Sequence, residues 1–179
     1  MYGQRTLKSS ILKTGVDPLS ICFFIGHRDA PSSIYPALLE AVERHVAEYG
    51  VNEFLVGHYG AFDHMAARAV LEVKKTHPDL SLTTLLPYHP TERNVFLPDG
   101  LDGSFYPPDM ENVPRRFAIV CANQSALLQC DFLIAFVCRP GNARKLLDYA
   151  QALKTVRICR LYHAKTHRLS SSRCVFACY

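Results

Sequence analysis

At 179 residues the chain is long enough for one domain with a full hydrophobic core and short for two, since domains cluster at roughly 100 to 200 residues. Hydrophobic residues make up 49% and charged residues 20%, which excludes a disordered or fibrous chain, and no apolar run approaches the ~18 to 20 residues of a membrane span. The formal charge is +4, from 20 Lys and Arg against 16 Asp and Glu; basic residues crowd between Arg139 and Arg173, which suits an anionic ligand but lacks the dense face or reading helix that nucleic-acid binding asks for.

The segment Met1 to Ser10 is polar and basic and has no apolar signal-peptide centre, so the expected location is the cytoplasm. Cysteine usage agrees. Of seven cysteines, Cys22, Cys121, Cys130, Cys138 and Cys159 lie in or beside apolar stretches, where a reduced thiol acts as a small hydrophobe. Cys174 and Cys178, behind His163 and His167, are the one candidate zinc set. Structural zinc sites usually show tighter Cys-x-x-Cys pairs, so the expectation is no metal and no cofactor, with these four residues incidental to a tail.

In chain order, Ile21 to Ile25 is a continuous apolar run ending in Gly26-His27-Arg28, the pattern of a fully buried strand that delivers a polar loop. A helix follows from Pro31-Ser32-Ser33, with Leu38, Leu39, Val42 and Val46 at helical spacing and Gly50 placed to stop it. Glu53 to Val56 is a second strand, followed by Gly57-His58-Tyr59-Gly60. Asp63 opens the next helix, whose inner side carries Met65, Ala66, Ala69, Val70 and Val73, and Pro78-Asp79 breaks it. Leu80 to Leu86 supplies a third strand, closed by Pro87-Tyr88-His89-Pro90.

From Thr91 to Arg115 the chain is rich in Pro, Gly and Asp and too long for a plain connector, which reads as a lid or binding loop with Phe105-Tyr106-Pro107-Pro108 as a wall. Arg116 to Gln129 reads as a helix, Phe132 to Cys138 as the most strand-like block, Ala143 to Leu153 as a helix, and Val156 to Leu161 as the closing strand. Alternating strand, loop and helix requires an α/β, Rossmann-like doubly wound sheet, mainly parallel, of about five strands with helices on both faces. In such sheets a ligand sits outside the carboxyl ends of the strands, where strand order reverses.

Three loops join a strand end to a helix start through glycine: Gly26-His27-Arg28, Gly57 to Asp63, and Pro140-Gly141-Asn142-Ala143. Free backbone N–H groups and the positive helix end attract phosphate there. None matches Gly-x-Gly-x-x-Gly or the phosphate loop of nucleoside triphosphatases. Arg28 suits bidentate pairing with phosphate or carboxylate, or a surface salt bridge. His27, His58 and His89 fall at strand ends, as phosphate donors or as hydrogen-bonded structural residues. Asp63 caps its helix, with a ribose acceptor as the alternative. Asn123 lies within, and Asp131 just after, the helix that precedes the strongest strand, and either can satisfy backbone groups there. Arg144, Lys145 and Asp148 lie early in the last helix, the basic pair either binding an anion or forming a solvated face.

These residues give the chain a resemblance to the SLOG superfamily, Rossmann-like proteins named after the Smf/DprA and Lonely Guy proteins, and within it to the YpsA-like branch. The resemblance covers about Ile21 to Leu161. It rests on Phe24-Ile25-Gly26-His27-Arg28, on Gly57-His58-Tyr59-Gly60-Ala61-Phe62-Asp63 with Ala66-Ala67, on Pro114-Arg115-Arg116-Phe117-Ala118-Ile119 leading to Asn123, and on Asp131 to Val137 followed by Pro140-Gly141-Asn142-Ala143. The resemblance implies a SLOG-like domain over 21–161 between an N-terminal extension (1–20) and a basic tail (162–179). It further implies binding of nucleotides or nucleotide-derived signals in the crevice formed by these loops. Two departures stand out. Asn142 replaces a second glycine, and the Lonely Guy pattern Pro-Gly-Gly-x-Gly-Thr-x-x-Glu reads here Pro140-Gly141-Asn142-Ala143-Arg144-Lys145-Leu146-Leu147-Asp148.

The leading expectation is a protein that binds or senses a small nucleotide-like ligand without a defined catalytic activity; self-association is left open. A rival is a nucleotide N-glycosidic hydrolase, with Asp148 or Asp63 assisting departure of the base and Arg28 holding phosphate. A third is a nucleic-acid accessory protein using the basic tail from Lys165 to Arg173, whose binding would weaken steeply with salt.

Overall fold

The computed structural model describes residues 20–91 and 99–162. Six parallel strands form one sheet in the order β4-β3-β2-β1-β5-β6: β1 (Ile21–Gly26), β2 (Glu53–Val56), β3 (Ser81–Leu85), β4 (Gly103–Phe105), β5 (Phe132–Phe136) and β6 (Arg157–Arg160). Four helices cover it: α1 (Tyr35–Tyr49), α2 (Ala61–Lys74), α3 (Arg115–Gln129) and α4 (Asn142–Leu153).

The continuous apolar run of β1 is explained by its two covered faces. Cys22 and Phe24 join one core with Leu38 and Val42 of α1 and Phe62, Ala66 and Val70 of α2. Ile21, Phe23 and Ile25 join a second with Ala118, Ala122 and Leu127 of α3 and Leu146 and Leu147 of α4. Burial of such side chains is worth about 1.5–3 kcal/mol each, and both faces contribute, so the central strand contains no polar residue before Gly26. Gly50 caps α1 in the left-handed conformation at φ 64°, where glycine carries no Cβ penalty.

From β1 the chain steps outward through β2 and β3 to β4, then α3 carries it back to β5 on the other side of β1. Strand order therefore reverses between β1 and β5, whose pairing runs to the register Gly26↔Phe136. The carboxyl ends of these two strands bracket the crevice. Asp131 sets their start, its carboxylate accepting from the Ile21 N–H at 3.0 Å and its own N–H donating to the Ile21 carbonyl at 2.9 Å.

The structure adds β4, which falls inside the segment read as an uninterrupted loop. A three-residue strand is too short to show a period, and its pairing is secured from outside it. Asp102 accepts from the Leu82 N–H and from Lys74 of α2, its own N–H donates to the Leu82 carbonyl, and Leu86 N–H donates to the Phe105 carbonyl. Phe105 is thereby a core residue rather than a loop wall. The fifth strand also ends earlier than read, at Phe136, and Cys138 is exposed rather than packed. The remaining bounds shift by a residue or so, as helix and strand ends commonly do.

Among the described residues no helix is long and apolar enough to cross a membrane, and no group of His, Cys, Asp and Glu could hold a metal ion. The candidate zinc residues His163, His167, Cys174 and Cys178, and the extension and tail apart from Ser20 and Tyr162, lie outside the described residues.

Candidate functional site

A cleft of about 320 Å³ opens at the carboxyl ends of β1, β2 and β3. Its size is at the lower end for small-molecule sites. One part is polar and built from backbone-rich loops, with Gly26, His27, Arg28, Gly57, Gly60 and Asp63 contributing. The other is apolar, with Leu85, Pro87, Ile119, Ala122 and Leu146, and Asn123 as the polar side chain among them.

His27 is the pin between the two strands at the reversal. Its Nε2 accepts from the backbone N–H groups of Cys138 at 3.1 Å and Arg139 at 3.3 Å, and its ring meets Phe136 edge-on. Accepting at Nε2 requires the neutral ring with its proton on Nδ1. Burial holds the imidazole below its ordinary pKa, the Arg139 charge pushes the same way, and Asp29 opposes them. Asp29 and Arg139 form an ion pair across the same two loops, and the hydrogen bond from Arg139 holds the Asp29 carboxyl below its usual range.

A pH dependence follows. A histidine whose folded pKa lies below its unfolded value of about 6.5 contributes its stability in full above that value and loses it as pH falls toward the folded pKa, because the unfolded chain then binds more protons. His45, buried in α1 with Nδ1–H donating to the Ala41 carbonyl, is lowered by burial against that bond and has the same sign. Asp63, whose pKa is raised by burial, works oppositely: its contribution is present in full at low pH and fades as pH rises through the folded value. The thermal midpoint of His27→Gln, which keeps an acceptor that does not titrate, is expected to fall less than that of the wild type between about pH 7.5 and 5.5. Equal falls in the two proteins would remove His27 from the account.

The second loop is held by Asp63 and by contact with the first. One Asp63 oxygen accepts from the N–H groups of Tyr59 at 3.0 Å and Gly60 at 3.2 Å, so the carboxylate reaches back from the first turn of α2 to cap it. Burial raises its pKa, against the lowering by those two bonds and by the His64 and Arg28 charges. The Ala61 N–H donates to the Arg28 carbonyl at 2.7 Å, and a Cβ on Gly60 would lie 2.7 Å from the Arg28 Cα. Close approach of the protein to itself, rather than to a ligand, is what requires glycine at position 60. At position 57 the neighbour is the Asp63 carboxylate, 2.9 Å from where a Cβ would stand.

Arg28 is one of the residues that line the cleft; it is exposed, and its side chain has no hydrogen-bond or ion-pair partner among the described residues. The residue before α4 is Gly141, whose φ of 141° strongly favours glycine. Asn142 and Ala143, the first helical residues, line the same cleft with no side-chain cap on their turn, so the amides and positive end of the helix belong to the cavity that Arg28 also lines. Asn123 donates from Nδ2 to the Ile119 carbonyl at 2.8 Å, a back-bond within α3.

Of the candidate ligand residues, Gly26, His27, Arg28, Gly57, Gly60, Asp63, Asn123, Asn142 and Ala143 come together around one cavity. His58, His89, Pro140 and Gly141 are not among its lining residues. His58 donates from Nδ1 to the Leu85 carbonyl at 3.2 Å, and His89 is bonded through Nδ1 to Thr91 and stands edge-on to Tyr106. Asp148 is placed away from the cleft, paired with Arg144 one turn earlier at 2.9 Å, with both side chains 53% exposed. Its helical position explains this: Leu146 and Leu147 turn inward, which sends Asp148 to solvent. Sequence reasoning missed Tyr59, Pro87 and Ile119 as wall residues, although Pro87 directly follows a strand and such loops carry ligands. It also missed the Asp29–Arg139 pair, because the two residues are 110 positions apart.

No protein-family model matches the chain, and no curated protein matches it. Among solved structures it is similar to DNA processing protein A (DprA) from Streptococcus pneumoniae, at 14% identity and a TM-score of 0.61 over 83% of this chain and 52% of that one. It is also similar to the molybdenum cofactor binding protein from Rippkaea orientalis, at 14% identity and a TM-score of 0.53 over 81% of this chain and 78% of that one. The chain thus spans about half the length of the first of these. The sheet and its reversal point define a Rossmann-like α/β protein. More particularly, it is the fold shared with the DprA and molybdenum cofactor binding protein structures.

Proposed function

We propose that the chain binds a nucleotide or nucleotide-derived small molecule in this cleft, as a YpsA-like member of the SLOG group acting in the cytoplasm. The observation that carries the reading is Arg28: a lining residue whose guanidinium has no partner among the described residues, at a cavity lined also by the uncapped start of α4. Such an arrangement suits phosphate, which a guanidinium can grip bidentately while helix amides donate to it. The apolar side, from Leu85 and Pro87 to Ile119 and Leu146, suits the flat face of a base, and Asn123 offers an amide to its edge.

Binding is favoured over hydrolysis of the base–ribose bond. A hydrolase needs a carboxylate within hydrogen-bond reach of the ribose. Asp148 is paired with Arg144 at the surface, and one Asp63 oxygen is already committed to two loop amides. In this reading His27, Gly26, Gly57 and Gly60 shape the phosphate side, and Gly141 sets the angle at which α4 enters. His58, His89 and Pro140 frame the loops rather than touch the ligand.

The test is calorimetric titration with phosphate, ribose 5-phosphate, AMP and ADP-ribose. A member of this panel should bind, and Arg28→Ala should weaken it roughly 10- to 150-fold, the equivalent of a charged hydrogen bond worth about 1.5–3 kcal/mol. Binding that survives Arg28→Ala unchanged, or no binding by any compound, would overturn the reading.

A further inference from the structure

Two arginines stand at the strand reversal, and they differ in one respect. Arg28 has no ion-pair partner among the described residues, whereas Arg139 is occupied by Asp29, the residue next to Arg28 in the chain. Residues 27–29 leave β1 and residues 137–139 leave β5, the two strands that bracket the crevice. The backbone of Arg139 is fixed, because His27 accepts from its N–H, and His27 itself lines the cleft. The Arg139 side chain is not fixed in the same way: it is 55% exposed and its Asp29 partner 61% exposed. Exposed pairs of this kind are the weak ones, screened by water and salt.

We propose that Asp29 is an internal stand-in for a second anionic group of the ligand, and that Arg139 exchanges Asp29 for that group. The inference rests on the ligand reading given above and extends it from one phosphate to two. A ligand with one phosphoryl group is served by Arg28 and the start of α4, and leaves the Asp29–Arg139 pair in place. A second phosphoryl group arriving between these loops meets Arg139 as its natural partner and the Asp29 carboxylate as a competitor of the same charge. A diphosphate can grip the guanidinium bidentately as the carboxylate does, with more negative charge, so the exchange is inexpensive. Asp29 then sets how strongly the cleft prefers diphosphate-bearing ligands to monophosphates.

The experiment titrates AMP and ADP into the wild type, Asp29→Asn and Arg139→Gln, the two substitutions being surface changes that leave the core untouched. Asp29→Asn should tighten ADP roughly two- to five-fold, the range of an exposed ion pair, with AMP unchanged. Arg139→Gln should bring ADP to the affinity of AMP without affecting AMP. If Asp29→Asn moves both nucleotides equally, Asp29 acts only through the general field and the exchange is refuted; if it moves neither while AMP binds, the inference fails and the cleft reading stands. If the wild type binds neither nucleotide, and phosphate, ribose 5-phosphate and ADP-ribose fail as well, the cleft reading fails and takes this inference with it.

Discussion

Gly26→Ala is expected to destabilise the protein by about 3 kcal/mol or more, at the upper end of overpacking in a filled core. A Cβ built at position 26 would lie 2.1 Å from Phe62 Cγ and 2.7 Å from Phe62 Cβ. A rotamer change would carry Cγ away but leaves Cβ, which is fixed to the helix backbone, in place, so the start of α2 would have to shift. Phe62 is fully buried and its ring is stacked near Phe136 of β5 at 6.3 Å. Displacing it therefore disturbs the contact between α2 and the two strands at the reversal. For a domain of this length the thermal midpoint should drop by roughly 6–12 °C. The double substitution Gly26→Ala with Phe62→Ala should cost less than the sum of the two single changes, because the second relieves most of the overlap made by the first. A midpoint within a degree of wild type for Gly26→Ala would show that α2 yields freely and that the close packing is not needed.

Gly60→Ala should do its damage at the cleft instead. The atom in the way is the Arg28 Cα at 2.7 Å, part of the backbone, and the two loops are joined there by the 2.7 Å bond from Ala61 N–H to the Arg28 carbonyl. Separating the loops breaks that bond and moves Arg28. One lost backbone hydrogen bond costs about 0.5–1.5 kcal/mol, to which the strain adds. Ligand affinity should fall at least as far as in Arg28→Ala, roughly 10-fold or more, because the guanidinium is displaced and the cavity altered together. Calorimetry on the variant, beside its melting curve, separates the effects. Full affinity with a lowered midpoint would mean that the Arg28 loop does not contribute to the site.

The two glycines also show where reasoning from sequence met its limit. Strand, glycine and helix start were legible at positions 26, 57 and 141, and the placement of glycine at strand ends follows from local pattern alone. The reason for glycine was not legible. Phosphate approach suggests the same residue as does contact with Phe62 or with the Arg28 backbone, and only the packed chain distinguishes them. His27 is a parallel case. As a polar residue at a strand end it invites a phosphate-donor role, yet its Nε2 accepts from amides 111 and 112 positions away. Asp63 was readable as a cap because capping is local; it caps backward, from the third residue of α2 to Gly60 and Tyr59.

What the sequence by itself determined is the part governed by short-range chemistry. Apolar runs of strand length, helical spacing of Leu and Val, the glycine after α1 and the alternation of elements determine a parallel sheet covered on both faces, with its loops on the carboxyl edge. What only the tertiary structure decided is the part governed by pairs far apart in the chain. The order β4-β3-β2-β1-β5-β6, the edge strand held by Asp102 and the meeting of Asp29 with Arg139 depend on which strands become neighbours. No local period encodes that, because neighbouring strands are selected by the burial of both sheet faces at once, and the contacts of the site follow from the selection.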